Sequence, residues 1–273
     1  PEKPVWNEFC QLDEVESMAK AGNRLPIGYD KKDASIYGID LRKIYCYIVS
    51  GKERTGKTNT LRLAVMSAAM SGAQVTVIDF AGDLKMVAQK AQARYVDSQK
   101  ELFEFFKDLT PDFKARNKVK NSCKDAGMTN EEIYEEIQQF RKIIIVISNL
   151  ADFVKNVHNP EAGIENSVPF LNTLLEKGAI HNVYWLAGFN QDEAMDMIGY
   201  KIYNAFIKDK NGLHLGGNVA AQKILNFDYV PYMEQGKSKT ALLCFLPTTK
   251  KVPQWWYFRC TVRSKKLWFP WWY

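Results

Sequence analysis

Gly51-Lys52-Glu53-Arg54-Thr55-Gly56-Lys57-Thr58 satisfies the pattern G-x-x-x-x-G-K-[ST] in full. It follows Ile44-Tyr45-Cys46-Tyr47-Ile48-Val49, an apolar, β-branched and aromatic run that reads as a strand ending at Ser50-Gly51. After it, Leu61, Val65, Ala68 and Ala69 recur on one helical face until Ser71-Gly72 supplies a stop. Phosphate binding requires this order. The two glycines let backbone N–H groups and the helix N-terminus wrap a β-phosphate, Lys57 reaches β/γ oxygens, and the Thr58 hydroxyl ligates Mg²⁺ through the nucleotide. The nucleotide site is therefore assigned to Gly51, Lys52, Glu53, Arg54, Thr55, Gly56, Lys57, Thr58 and the adjoining Asn59, with ATP and Mg²⁺ as cofactors.

Working outward, Gln74-Val75-Thr76-Val77-Ile78-Asp79 reads as the next strand, which completes a βαβ unit. The fold class is α/β, a mostly parallel sheet with right-handed crossovers and helices on both faces. Residues 84–139 read as a polar, helical middle. Leu102, Phe103, Phe105 and Phe106 form an apolar stripe in it, and Thr129-Asn130-Glu131-Glu132 opens a helix with an N-cap and early acids. The basic run Lys114, Arg116, Lys118, Lys120 and Lys124 is expected on a solvated helix face. Ile143-Ile144-Ile145-Val146-Ile147 predicts a central strand covered on both sides. In a P-loop ATPase such a strand normally ends in the acidic pair of the Walker B motif, an Asp that holds Mg²⁺ and a Glu that activates water. Here it ends in Ser148-Asn149.

The 273 residues are 46% hydrophobic and 25% charged, which excludes disordered and low-complexity architectures and allows one large α/β domain. The net charge of +6 is local: residues 250–273 carry six basic residues and no acid, and 37 less 6 leaves 31 basic residues against 31 acids. No apolar run approaches the roughly 20 residues that span a bilayer. The chain starts at Pro1 without a signal pattern, so it reads as a piece of a longer protein. Cys10, Cys46, Cys123, Cys244 and Cys260 stand singly, the pattern of a reducing compartment. His158, His181 and His214 show no metal-ligand spacing. Trp6, Phe9, Leu12, Val15 and Met18 predict one amphipathic helix before Gly22-Asn23, so residues 1–24 read as an N-terminal linker helix. Residues 212–218 read as a Gly-rich turn. In the aromatic and basic tail, residues 250–273, the alternation over 255–262 suits a strand, and the terminal aromatics suit docking on a neighbouring module or partner.

Leu25-Pro26-Ile27-Gly28-Tyr29-Asp30, Gly51 to Thr58, the strand ending Val77-Ile78-Asp79, and Ile144 to Ile147 followed by Ser148-Asn149-Leu150-Ala151-Asp152 together resemble the FtsK/SpoIIIE-type ATPase domain in order and spacing. The resemblance runs over about residues 25 to 247 and is nearest to the C-terminal ATPase domain of type VII secretion ATPases of the EssC/EccC family. Leu150-Ala151-Asp152 after a central strand is its most discriminating element, matching the family's I-D-E-[LF]-A-[DE] stretch. It implies that residues 25–273 form a RecA-like domain, one of several tandem ATPase modules of an oligomeric, membrane-anchored protein on the cytoplasmic side of a bacterial membrane. It also implies a role in exporting WXG100-type helical hairpins, with the terminal module implicated in substrate recognition or assembly.

Ser148 and Asn149 depart from the family's acidic pair, and losing a general base typically costs about 10²- to 10⁴-fold in rate. The expectation is nucleotide binding with weak or no hydrolysis. The family's following strand ends in a Thr-Gln sensor, where this chain offers Gly188-Phe189-Asn190-Gln191, with Gln191 as a candidate. Asp79 and Asp152 are the acids considered as replacements. Two alternatives stand beside this reading. An active DNA-translocating motor is disfavoured by the missing acids and by a body without excess positive charge, so no nucleic-acid partner is favoured. A P-loop kinase would use Asp79 as its Walker B aspartate if the next strand lay beside the P-loop strand; the RecA-like reading places Asp79 at the sheet edge instead.

Overall fold

The computed structural model describes residues 6–30, 33–159, 167–216, 222–226, 240–244 and 257–259. Before the phosphate-binding motif come two short helices, α1 (Trp6–Phe9) and α2 (Asp13–Ala21), and an antiparallel pair, β1 (Arg24–Tyr29) and β2 (Ile36–Asp40). The single helix expected over residues 1–24 is thus broken. Only Val15 and Ala19 of α2 are buried, and Gly22 closes it at φ 68. Trp6, Phe9 and Val15 pack on Leu63, Met66 and Met70, so this segment is part of the body.

The main sheet begins with β3 (Cys46–Gly51), which runs through the motif into α3 (Lys57–Met70). Next come β4 (Gln74–Ile78), α4 (Lys85–Lys90), β5 (Arg94–Val96), α5 (Gln99–Asp125), α6 (Asn130–Gln138), β6 (Ile143–Ile147) and α7 (Leu150–Val157). The chain continues through α8 (Val168–Lys177), β7 (Val183–Asn190), α9 (Lys201–Lys208), β8 (Gly212–Leu215), β9 (Thr240–Cys244) and β10 (Tyr257–Arg259). The strand order is β10-β9-β8-β3-β7-β6-β4-β5. The strands from β8 to β5 pair in parallel, while β9 and β10 add antiparallel. The P-loop strand therefore lies between β7 and β8, with the isoleucine-rich β6 one strand further on. Two strands, β7 and β6, thus stand between the P-loop strand and the next strand in the chain, β4, which is the RecA-like arrangement.

Side-chain alternation divides these strands between two cores. Ile143, Ile145 and Ile147 join Val183, Trp185, Ala187 and Phe189 beneath α5, α7, α8 and α9. Ile144 and Val146 join Tyr47, Val49, Tyr184 and Leu186 beneath α3, α4 and the β1–β2 pair. Both faces of β6 are covered, which is why its sequence carries no polar alternation. None of the described helices is long and apolar enough to cross a membrane.

The stretch over residues 84–139 contains a strand that its polar composition hid. β5, only three residues long, pairs outside β4, so β4 is one strand in from the sheet edge. Thr129 caps α6 in a reciprocal capping box with Glu132, as expected. Arg116 departs from the solvated face assigned to the basic run. It is 2% exposed and donates to the carbonyls of His181 and Arg141. Residues 212–215 are strand β8 rather than a turn, and Gly212 has a steric reason: a Cβ there would lie 2.3 Å from the Ile48 carbonyl oxygen. Of the expected C-terminal strand over 255–262, Tyr257–Arg259 forms β10; the terminal docking segment lies outside the described residues.

Candidate nucleotide site

The motif sits at the C-terminal edge of the parallel strands. Gly51 is level with Asn190 of β7 and Leu215 of β8. A Cβ at Gly51 would come within 2.6 Å of both the Leu215 carbonyl oxygen and Thr55 Oγ1, so only glycine admits the loop. Arg54 at φ 59 and Gly56 at φ 108 turn the chain back into α3. Thr55 Oγ1 donates to the Lys52 carbonyl at 2.8 Å. Lys57 Nζ donates to the carbonyls of Lys52, at 2.7 Å, and Gly51, at 3.1 Å, which holds the ammonium across the loop. The first turn of α3 contains Lys57, Thr58 and Asn59 and no acid, so its outward N–H groups remain available to an anion.

Burial lowers the Lys57 pKa, opposed by the carboxylates of Glu193, Glu53 and Asp192. Two of these acids follow β7 in a tight turn, Gln191–Glu193, which sequence reasoning did not single out. Glu193 lies against the Asn149 side chain, and burial, reinforced by the charge of Asp152, pushes its carboxyl pKa up. Its Oε2 and the Oε1 of Gln191 are buried and accept no hydrogen bond among the described residues. The signal was present as Asp192-Glu193 directly after the strand beside the P-loop strand, one residue beyond Gln191.

At the tip of β6, Ser148 N donates to the Ile78 carbonyl at 2.9 Å. Asn149 caps α7, its Oδ1 accepting from Ala151 N at 2.9 Å. Gly188 lets β7 approach this tip, since a Cβ there would lie 2.3 Å from the Ser148 carbonyl oxygen. Asp152 stands in the first turn of α7 and faces Glu193. Thus Lys57, Asn149, Asp152 and Glu193 come together beside the P-loop, and Gln191 begins the turn that carries Glu193.

Asp79 is not among them. It is fully buried, and its carboxylate accepts from Leu84 N at 2.7 Å, Tyr95 Oη at 3.1 Å and Ala81 N at 3.3 Å. It thereby fixes the turn into α4 and ties β5 to the sheet. Its strand is separated from β3 by β6 and β7, which corrects the kinase reading: Asp79 does not end a strand adjacent to the P-loop strand.

The histidines serve elsewhere. His158 Nδ1 contacts the Val154 carbonyl, and His181 lies between Lys177, Asn117 and Phe113. His214, opposite Ser50 behind the P-loop, has its pKa pushed down to about 4 by burial, with the Lys57 charge adding to the effect. It stays neutral at pH 7.

No protein-family model matches the sequence, and no curated protein matches it. Solved structures share its fold. EssC (ATPases 2 and 3) from Geobacillus thermodenitrificans superposes with a TM-score of 0.70 at 10% identity, covering 95% of this chain and 44% of that one. Thermomonospora curvata EccC (ATPases 2 and 3), in complex with a signal sequence peptide, gives 0.61 at 18% identity over 82% of this chain and 39% of that one. The pCW3 conjugation coupling protein TcpA, with ATPγS, gives 0.67 at 18% identity over 95% and 69%. The chain spans less than half the length of the EssC and EccC structures that it matches. These likenesses, with the strand order, make the fold that of a RecA-like P-loop ATPase domain.

Proposed function

We propose that this chain is an ATPase-like module of a type VII secretion ATPase, one that binds ATP with Mg²⁺ through residues 51–59 and hydrolyses it weakly or not at all. The observation that carries the reading is the pairing of a fully formed P-loop with a β6 tip, Ser148-Asn149, that has no carboxylate. Lys57, the α3 N-terminus and the loop amides supply the phosphate contacts. The Thr58 hydroxyl, in the first turn of α3, is the group that would hold Mg²⁺, which contributes neutralisation of phosphate charge. Without an acid on β6 to orient that ion and its waters, slow chemistry follows.

The module's role is in substrate recognition or in assembly of the secretion machine, beside adjacent ATPase modules of the same polypeptide, in an oligomer on the cytoplasmic side of a bacterial membrane. Its substrates are WXG100-type secreted proteins. The EccC structure in complex with a signal sequence peptide supports this reading, as do the multi-ATPase EssC and EccC chains that this module matches over less than half their length.

The test is turnover and binding on one purified chain. Wild type is expected to bind ATP with slow turnover, and Ser148→Asp/Asn149→Glu to raise turnover by at least tenfold. A WXG100-type protein is expected to bind saturably in calorimetry. Brisk wild-type turnover, or no binding of any such protein, would remove the two halves of the proposal respectively.

A further inference from the structure

We infer that Glu193 is the general base of this nucleotide site, taking from the end of β7 the role that the end of β6 has lost. The inference rests on the nucleotide-binding reading above and assigns to one residue whatever turnover remains.

Position is the first argument. β7 reaches the level of the first P-loop glycine at Asn190, so the turn that follows it emerges beside the phosphate cradle. That turn is rigidly held. The Asn190 side chain accepts from Asp192 N at 3.3 Å, Ala194 N donates to the Gln191 carbonyl at 3.3 Å, and Met197, 1% exposed, anchors its far end in the core. A base carried on such a turn keeps its geometry without help from substrate.

Surroundings are the second. Groups from several elements face the Glu193 carboxyl: Lys57 of α3, Asn149 at the β6 tip, and Asp152 and Lys155 of α7. Asp192 of its own turn and Glu53 of the loop lie near Lys57. Of the two acids on the turn, Asp192 is exposed, whereas Glu193 keeps a buried oxygen, Oε2, with no hydrogen-bond donor among the described residues. A buried acceptor without a donor is costly in an idle position. A water held between it and a terminal phosphate would satisfy it.

The chemistry balances without further reagents. Water attacks the γ-phosphorus of ATP, and its oxygen forms the new P–O bond. The bond from that phosphorus to the β–γ bridging oxygen breaks, and its electron pair leaves with ADP. The water's proton passes to Glu193 Oε2, leaving inorganic phosphate. Burial raises the basicity of this carboxylate and so favours the proton transfer. Asn149 orients the carboxylate but cannot replace it.

The experiment measures ATP dissociation constants and steady-state turnover for wild type, Glu193→Gln, Glu193→Asp and the control Asp125→Asn. Glu193→Gln is expected to lose turnover by about 10²-fold or more while binding ATP at least as tightly, because a negative charge beside the phosphates is removed. Glu193→Asp is expected to keep part of the rate, and Asp125→Asn, at an exposed acid at the end of α5, to stay within about fivefold of wild type. Turnover in Glu193→Gln equal to wild type, or ATP bound by wild type with no measurable turnover, would overturn the inference and leave nucleotide binding standing. No saturable ATP binding by wild type would instead overturn the reading on which it rests.

Discussion

Replacing Arg116 by methionine removes one guanidinium that holds the entry to both central strands. It donates to the His181 carbonyl at 3.0 Å and the Arg141 carbonyl at 2.7 Å, the residues just before β7 and β6. It also pairs with Asp112 at 3.1 Å and lies over the Phe140 ring at 5.1 Å. Methionine keeps an unbranched apolar stem but loses the guanidinium over Phe140, so the loss falls on the polar and cation–π contacts. Two carbonyls lose a charged donor, at about 1–3 kcal/mol for a fully buried group and less for one that water reaches. The Asp112 side chain is 38% exposed, so the ion pair adds little. The sum is about 2–4 kcal/mol. At about 2–4 °C per kcal/mol for a domain of this size, Tm falls by about 4–16 °C. Urea and thermal unfolding followed by far-UV circular dichroism provide the assay, with exposed Lys114→Met on the same helix as a control within about 0.5 kcal/mol of wild type. A loss below about 1 kcal/mol for Arg116→Met would refute the assignment of Arg116 as a structural tie.

Two further outcomes follow from the same geometry. Asn149→Ala removes the α7 cap and is expected to cost about 1 kcal/mol in urea unfolding, whereas Asn149→Asp, which retains an acceptor for Ala151 N, costs less than half of that. His214, whose pKa falls to about 4 from an ordinary 6.5, contributes stability that is complete above pH 6.5 and is lost as pH falls toward 4. The difference corresponds to about 3 kcal/mol. Urea midpoints between pH 7.5 and pH 4.5 should drop more steeply in wild type than in His214→Asn, and parallel curves would contradict this assignment.

Much of the architecture was legible because it rests on patterns that few folds share. The P-loop between an apolar strand and an apolar helix, and the unbroken Ile143 to Ile147 run, place the P-loop strand and a doubly covered strand. What sequence missed was short or tertiary. β5 has three residues, with no room for a period to appear. β8 looks like a turn because three of residues 212–218 are glycines, yet close packing on Ile48 is what requires Gly212. Arg116 reads as surface charge because nothing local announces the two carbonyls that it meets, from segments distant in sequence. Asp79 looks catalytic at a strand end until its oxygens are found occupied by Leu84, Ala81 and Tyr95. Glu193 escaped for the converse reason. Its partners come from two distant segments, Lys57 in α3 and Asn149 with Asp152 at the start of α7, and only the strand order brings them together.

The claim on which the rest depends is that residues 51–59 bind ATP through Lys57. Calorimetric titration of ATP with Mg²⁺ into wild type and Lys57→Ala tests it directly. Losing one hydrogen bond to a charged group is worth about 1.5–3 kcal/mol, so the variant is expected to bind about 10- to 150-fold more weakly, with wild type saturating at one site. Equal affinities in the two proteins, or no saturable heat with wild type, would contradict the account.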